Sequence, residues 1–268
     1  MKVQEQYAAC VQGLRDFTAG IGATDVVIGL SGGIDSSLVA CMCVDVLGAD
    51  HVHGYMLPGP YSSRHSIVDS QELARNLGMH AEIISINEPY DAFRNVIVDH
   101  CDKFRGLPSE NTQARCRMVV LMALSNAYGW MMVNTGNKSE SMMGYSTLYG
   151  DTAGAYAPIG GLYKTDIFAM CRWLNEAAKA EGKVPPIPEN VILKPPSAEL
   201  APDQFDEDTL GSYEALDRLL IDHVEHGMGA EALVAAGYDA AEVERVTKRV
   251  AAYAFKRALE PSFPVIPY

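Results

Sequence analysis

The stretch Gly29-Leu30-Ser31-Gly32-Gly33-Ile34-Asp35-Ser36-Ser37 constrains this chain more than any other. It follows Asp25-Val26-Val27-Ile28, a short β-branched run that reads as a buried strand. It precedes Leu38 to Val44, which reads as a buried helix. A chain that turns from strand to helix on its smallest residues exposes main-chain amides at the turn. Gly32 and Gly33 admit φ > 0 and let a ligand approach the backbone. Ser31, Asp35, Ser36 and Ser37 surround the helix start, where unpaired N–H groups and the positive end of the dipole face outward. Such a seat suits an anion, a polyphosphate above all. The competing reading is an ordinary capped βα turn.

The turn lacks the lysine of a Gly-Lys-Ser/Thr loop and the spacing of the dinucleotide fingerprint. It resembles the Ser-Gly-Gly-x-Asp-Ser signature of the ATP pyrophosphatases, the PP-loop family, which split ATP between the α and β phosphates. The resemblance implies that Gly29, Leu30, Ser31, Gly32, Gly33, Ile34, Asp35 and Ser36 contact ATP. It also implies that amides of residues 31–36 hold the departing pyrophosphate and that Asp35 helps to hold Mg²⁺.

At 268 residues, 48% of them hydrophobic, the chain has material for one large α/β domain with a modest appendage. No apolar run reaches about 18 residues, so no membrane span is expected. Residues 1–20 carry no apolar core flanked as an export signal would be, and the expected location is the cytoplasm. The six cysteines form no CxxC pair and read as reduced thiols. A net charge of −13 argues against nucleic acid and for a small-molecule substrate.

Residues 3–19 read as an amphipathic helix, 51–57 as a second strand ending at Pro58-Gly59-Pro60, 66–77 as a helix closed by Gly78, and 81–86 as a third strand. This βαβαβ order predicts an α/β fold with a doubly wound parallel sheet and helices on both faces. Leu57 stands at the ligand edge of such a sheet and is expected against adenine. His51 and His53 alternate on the second strand and read as surface residues. Helix is expected over 90–104, broken at Gly106–Ser109, and resuming to Tyr128 with Arg115 and Arg117 in its first turns. Cations there oppose the dipole, and two residues apart they cannot share a face, so one is expected to meet a ligand anion and the other a surface or partner.

Trp130–Asn134 reads as a fourth strand, with Thr135-Gly136-Asn137-Lys138-Ser139-Glu140 at its carboxyl end. Glu140 is either a helix-start acid or the partner of Asp35 on a Mg²⁺, which takes one or two carboxylates plus phosphates. Lys164, ahead of a helix over 166–180, is either solvated or in reach of a phosphate. A glycine-rich passage over 144–166 is long enough to be functional. The proline-dense segment 182–204 reads as a stiff loop, and the acidic run Asp203, Asp206, Glu207, Asp208 as a solvated one. Helices are expected over 210–226 and 241–259, with the tail 261–268 on the surface.

Taken in order, several blocks resemble the NAD synthetase family. They are residues 29–37, Asn111-Thr112-Gln113-Ala114-Arg115, residues 135–140, Gly144-Tyr145-Ser146-Thr147-Leu148-Tyr149-Gly150-Asp151, Lys164-Thr165, and Lys194-Pro195-Pro196-Ser197-Ala198-Glu199-Leu200. Pro202-Asp203-Gln204 with Asp208 to Tyr213, and an echo at Lys256-Arg257, complete the set. The wording of the Tyr-Ser-Thr-Leu-Tyr-Gly-Asp and Lys-Pro-Pro-Ser-Ala-Glu-Leu blocks is similar to the synthetase domain of glutamine-dependent members. Ammonia-dependent bacterial members differ, with lysine for Leu148, aspartate for Ala155, threonine for Ser197 and His-Lys for Phe255-Lys256.

The resemblance implies one synthetase domain over 1–268, with an adenine-nucleotide alpha-hydrolase-like core at about 20–180 and a loop and helices over 181–268. About 25 residues precede the first strand, so no fused amidase domain is expected. The implied reaction is ATP-dependent amidation of deamido-NAD through an adenylated intermediate, with ammonia either free or from a separate glutaminase. Asp35 and Lys164 would be catalytic, and Asp35 and Glu140 would hold Mg²⁺. Leu57, Thr135, Lys164 and Ser197 would bind ATP. Arg115, Glu140, Asp151 and Lys256 would contact deamido-NAD at a homodimer interface along helix 110–128. The alternatives are another PP-loop adenylating enzyme and a non-catalytic adenine-nucleotide sensor.

Overall fold

A computed structural model describes residues 1–268. Four parallel strands, β1 (Val26–Gly29), β2 (Val52–Met56), β3 (His80–Ile83) and β4 (Met131–Met132), form one sheet in the order β3-β2-β1-β4. The helices are α1 (Val3–Ile21), α2 (Ile34–Leu47), α3 (Arg64–Leu77), α4 (Asn87–Val98), α5 (Leu107–Tyr128), α6 (Lys138–Met143), α7 (Lys164–Ala180), α8 (Glu189–Leu193), α9 (Glu207–Leu210), α10 (Tyr213–Leu220), α11 (Ala230–Ala235), α12 (Ala240–Ala252) and α13 (Ala254–Arg257).

The pleat of β1 divides the core. Val26 and Ile28 point into a large apolar cluster with Leu14, Leu38, Ile167 and Met170, built by α1, α2 and α7. Val27, on the opposite face, joins Tyr55, Leu57, Leu121 and Met132 beneath α5. A βα unit covering both faces is the doubly wound arrangement expected from the strand–helix alternation. The chain runs from β1 outward to β2 and β3, then returns to add β4 on the other side of β1. The strand order therefore reverses at β1, and the carboxyl ends of β1 and β4 flank the crevice where α/β sheets bind ligands.

Several boundaries depart from the sequence reading. The helix expected to Phe104 ends at Val98, and Gly106 at φ 63° starts the next one with Pro108 in its first turn. Pro tolerates that position because its missing N–H is unneeded there. Lys164 opens α7 instead of preceding it. The helix expected over 210–226 is α9, α10 and a π-helical turn at Ile221–Glu225, and that over 241–259 breaks at Tyr253. His53 is not a free surface residue. It stacks on Trp130 with ring centroids 3.7 Å apart and shares Asp25 Oδ1 with His51.

The tail is a correction too. Single parallel bridges Val133–Tyr156 and Tyr156–Ser262 carry the sheet past β4, and Ile266 is buried in the large cluster. Main-chain pairing at an open edge, with one apolar anchor, draws in a segment whose prolines made it look external. Asp206, expected in solvent, is buried, whereas Asp203, Glu207 and Asp208 are exposed. A second apolar cluster, with Met143, Tyr163, Leu216, Leu220 and Val246, seats α10 and α12 against α6. All six cysteines are free thiols, and five are buried. No helix is long and apolar enough to cross a membrane.

Candidate active site

The turn after β1 is held by its own hydroxyls. Ser36 Oγ accepts the Ser31 amide at 3.3 Å, and Ser31 Oγ accepts the Gly33 amide at 3.1 Å. Gly32 sits at φ 74°, and a Cβ there would meet the Ser66 carbonyl oxygen of α3 at 2.3 Å. Glycine is therefore required both by conformation and by close approach. The amides of Ile34, Asp35 and Ser36, at the start of α2, have no acceptor in the protein. Of the amides expected to hold an anion, those of 31 and 33 are engaged within the turn, while 34–36 remain open at the positive end of a 14-residue helix.

Beside these amides lies a buried charge cluster. Lys164, 2% exposed, donates from Nζ to Asp35 Oδ2 at 2.6 Å and to Glu140 Oε1 at 3.1 Å. Asn137 caps α6 by accepting the Glu140 amide at 3.0 Å, and its Nδ2 donates to Asp35 Oδ1 at 3.0 Å. The Lys164 ammonium also lies 5.2 Å from the centroid of the Tyr213 ring. Burial alone would lower the lysine's pKa, but the carboxylates of Asp35, Glu140 and Asp206 together hold it above its usual value. Burial pushes the Glu140 carboxyl above its usual value, against the pull of Lys164.

Asp206, also raised by burial, turns into the same cavity. Its Oδ2 accepts from the Tyr213 hydroxyl at 2.9 Å, while its Oδ1 is without a partner. The Tyr145 hydroxyl faces it and likewise completes no hydrogen bond. The sequence carried no signal that would bring these groups together: Asp206 stood in an acidic run, and Tyr145 lies 61 positions before it.

The surrounding cavity is about 630 Å³. Leu57, Tyr61, Thr135, Ser197 and Glu199 are among the residues that line it. Ser197 Oγ is occupied within its loop, donating to the Gln204 carbonyl and accepting the Glu199 amide. Glu199, at φ 49°, reaches back to α3, where its carboxylate accepts from the Ser63 amide and from the hydroxyls of Ser63 and Ser66. Of the two arginines, Arg117 faces inward and donates to the Leu57 carbonyl at 2.9 Å. Arg115 is exposed, donates to the Leu148 carbonyl, and does not line this cavity.

Asp151 does line the cavity and accepts the Thr147 amide at 2.7 Å. Lys256 lies outside it, bracing the carbonyls of Gly144 and Ser146. Gly32 is likewise behind the turn and not on the lining.

Two carboxylates that already share one cation, with only oxygen donors, suit Mg²⁺, which accepts one or two carboxylates and fills its shell with phosphate oxygens and water. With two carboxylates from the protein, phosphate and water oxygens would complete the coordination.

Comparison with known proteins converges on one family. A family model described as NAD synthase matches residues 6–260. The chain is 42% identical over 258 residues to a glutamine-dependent NAD(+) synthetase of Thermotoga maritima, covering 96% of this chain and 44% of that protein. It thus spans about half the length of the curated relatives it matches. Among solved structures, it is similar to an NMN synthetase from Francisella tularensis, with TM-score 0.81 and 29% identity over 96% of both chains. It is also similar to an NH3-dependent NAD synthetase from Campylobacter jejuni, with TM-score 0.76 and 28% identity over 96% of both chains.

Proposed function

Because the chain belongs to the NAD synthase family, we propose that it is a cytoplasmic ligase that amidates deamido-NAD to NAD at the expense of ATP, with ammonia as the nitrogen that reaches the site. The observation that carries this reading is the Asp35–Lys164–Glu140 cluster beside the open amides of residues 34–36. An anion seat next to a cation held between two acids is what cleavage at the α phosphate needs.

In the first step a carboxylate oxygen of deamido-NAD attacks the α phosphorus. The bond from that phosphorus to the bridging oxygen breaks, and pyrophosphate leaves with its electron pair. The open amides and Lys164 neutralise the charge that builds on the leaving group. Leu57 packs on adenine, and Thr135 and the Ser197 loop flank the nucleotide. Asp35 and Glu140 would hold Mg²⁺, which supplies charge neutralisation across the phosphates when bound. In the second step ammonia attacks the acyl carbon and AMP departs. The free oxygen of Asp206 accepts an N–H of the nucleophile and takes its proton.

Asp151 and Glu140 meet deamido-NAD from inside the cavity. Arg115 and Lys256 reach it from the rim, where α5 of a second copy closes the site in a homodimer. Little covalent work falls to the protein, and positioning is its main contribution.

The test is to measure pyrophosphate and NAD formation by pure protein with ATP and deamido-NAD, varying ammonium against glutamine. Turnover with ammonium and none with glutamine supports this reading. Dependence on an added glutaminase supports the same chemistry with a partner donor. Likeness to an NMN synthetase makes the deamidated mononucleotide the competing substrate, and preference for it would redirect the assignment. Pyrophosphate release that needs neither nucleotide acceptor points to another adenylating enzyme.

A further inference from the structure

The two helix starts that carry Glu140 and Lys164 are tied together from a distant part of the chain. Asp217 lies on α10, four residues from Tyr213 and on the same buried face. Its Oδ1 accepts from Ser139 Oγ at 2.5 Å and its Oδ2 from the Thr165 amide at 2.8 Å. Ser139 Oγ in turn accepts the Lys164 amide at 2.9 Å. One carboxylate therefore holds residue 139 of α6 and residue 165 of α7.

The π-helical turn that continues α10 repeats the arrangement. Glu225 Oε1 accepts from the Tyr163 hydroxyl at 2.7 Å and pairs with Lys138 Nζ at 2.5 Å. Residue 138 adjoins the serine that Asp217 holds, and residue 163 lies two before Thr165. A main-chain bond from the Lys138 amide to the Leu162 carbonyl, at 2.8 Å, runs between the same two segments. The helix α6 spans only six residues and cannot fix its own direction. Tyr163, the residue before α7, supplies no side-chain cap, and Asp217 meets that need from 52 residues away.

We propose that Asp217, seconded by Glu225, is a positioning residue that sets the separation of Glu140 and Lys164 and hence the shape of the charge cluster. Neither touches the cluster's reacting atoms. The peripheral carboxylate of the same turn, Asp222, bonds Tyr238 and His226 instead and takes no part. The inference rests on the ATP-dependent reading for what Lys164 does, but not for where it is held.

The experiment compares wild type with Asp217→Asn, Glu225→Gln and Asp222→Asn. For Asp217→Asn, kcat for pyrophosphate release should fall about 10- to 100-fold while KM for ATP changes less than about threefold, as expected of a misaligned site. Glu225→Gln is the milder change, should a buried Asp217→Asn not fold, and should lower kcat in the same sense. Asp222→Asn should leave kcat unchanged. Loss of activity only in proportion to unfolded protein, a rise in KM alone, or an equal loss in Asp222→Asn overturns the proposal.

A second readout needs no turnover. The slowly exchanging ammonium resonance of Lys164, assigned by its absence in Lys164→Arg, should shift or broaden in ligand-free Asp217→Asn and stay in place in Asp222→Asn. An unchanged resonance overturns the positioning role. A wild type that releases no pyrophosphate sinks the ATP reading alone, and the resonance still decides the placement.

Discussion

Asn137 bonds both acids of the cluster: its carbonyl accepts the Glu140 amide and its amide donates to Asp35 Oδ1, each at 3.0 Å. One side chain thus joins the strand-end after β4 to the helix start after β1, across the crevice where the strand order reverses. Asn137→Ala should remove the cap of α6, costing about 1 kcal/mol, and free Asp35 to rotate. Thermal melting should register the first effect, and a fall in kcat larger than the folded fraction explains should register the second. Full activity in this variant would show that Asp35 is oriented by Lys164 alone.

Lys164→Met keeps most of the volume and deletes the charge. Two partly buried carboxylates, each side chain about a fifth exposed, are then left facing each other, and breaking a buried ion pair from one side costs up to about 3–5 kcal/mol. Urea unfolding should show that loss, and pyrophosphate release should disappear even in the protein that remains folded. Wild-type stability would mean that the cluster is more hydrated than its burial indicates.

Asp206→Asn should separate the two chemical steps. Its free oxygen serves the incoming nitrogen in the proposed reaction, so a single-turnover experiment should still give a burst of pyrophosphate while NAD appears slowly. Equal slowing of both products would place Asp206 with the phosphate machinery instead.

Glu199 holds the 194–206 loop to α3 through three accepted hydrogen bonds, from a left-handed backbone that costs about 1 kcal/mol or more in a non-glycine residue. Glu199→Gly relieves the backbone but frees the loop; Glu199→Ala does only the latter. Both should weaken ATP binding about tenfold by calorimetry, a prediction that rests on each charged hydrogen bond contributing about 1.5 kcal/mol or more. An affinity retained in the glycine variant would mean that the loop is held by its prolines.

Alkaline pH should act on the thiols. Burial pushes Cys10 and Cys43 up to about 12, whereas an unfolded thiol ionises near about 8.5. The folded chain therefore keeps protons that the unfolded chain gives up. The stability these thiols contribute is complete below about pH 8.5 and declines as pH rises toward 12. A thiol reagent at pH 8 should find only Cys101 quickly in the native protein, because the other five cysteines are buried.

What the sequence revealed was what is local. The Gly29–Ser37 turn could be read because a strand, small residues and a helix follow one another within reach of the same amides. Lys164 and Glu140 were legible as motif residues, although the contact between Lys164 and Asp35 spans 129 positions. The pair Arg115 and Arg117 announced that one would turn inward without saying which, since helical phase against a sheet is set by packing. Asp217 looked like any polar residue in an amphipathic helix, and Asp206 like part of an acidic run. Their meaning arises only when α10 docks on α6 and α7. The tail was misread because edge pairing depends on main-chain groups that side-chain patterns do not report.

The unequal thickness of the two sides of the sheet has a kinetic corollary. One side of β1 is buried under three helices in a thirty-residue cluster, while β3 at the far edge leaves Ile83 half in water. Deuterium uptake should therefore begin at β3 and α4 and reach β1 and α2 last. The hinge on which a nucleotide would be gripped belongs to the slowest-breathing layer, and the molecule could fray at one margin many times over without loosening its hold on a phosphate.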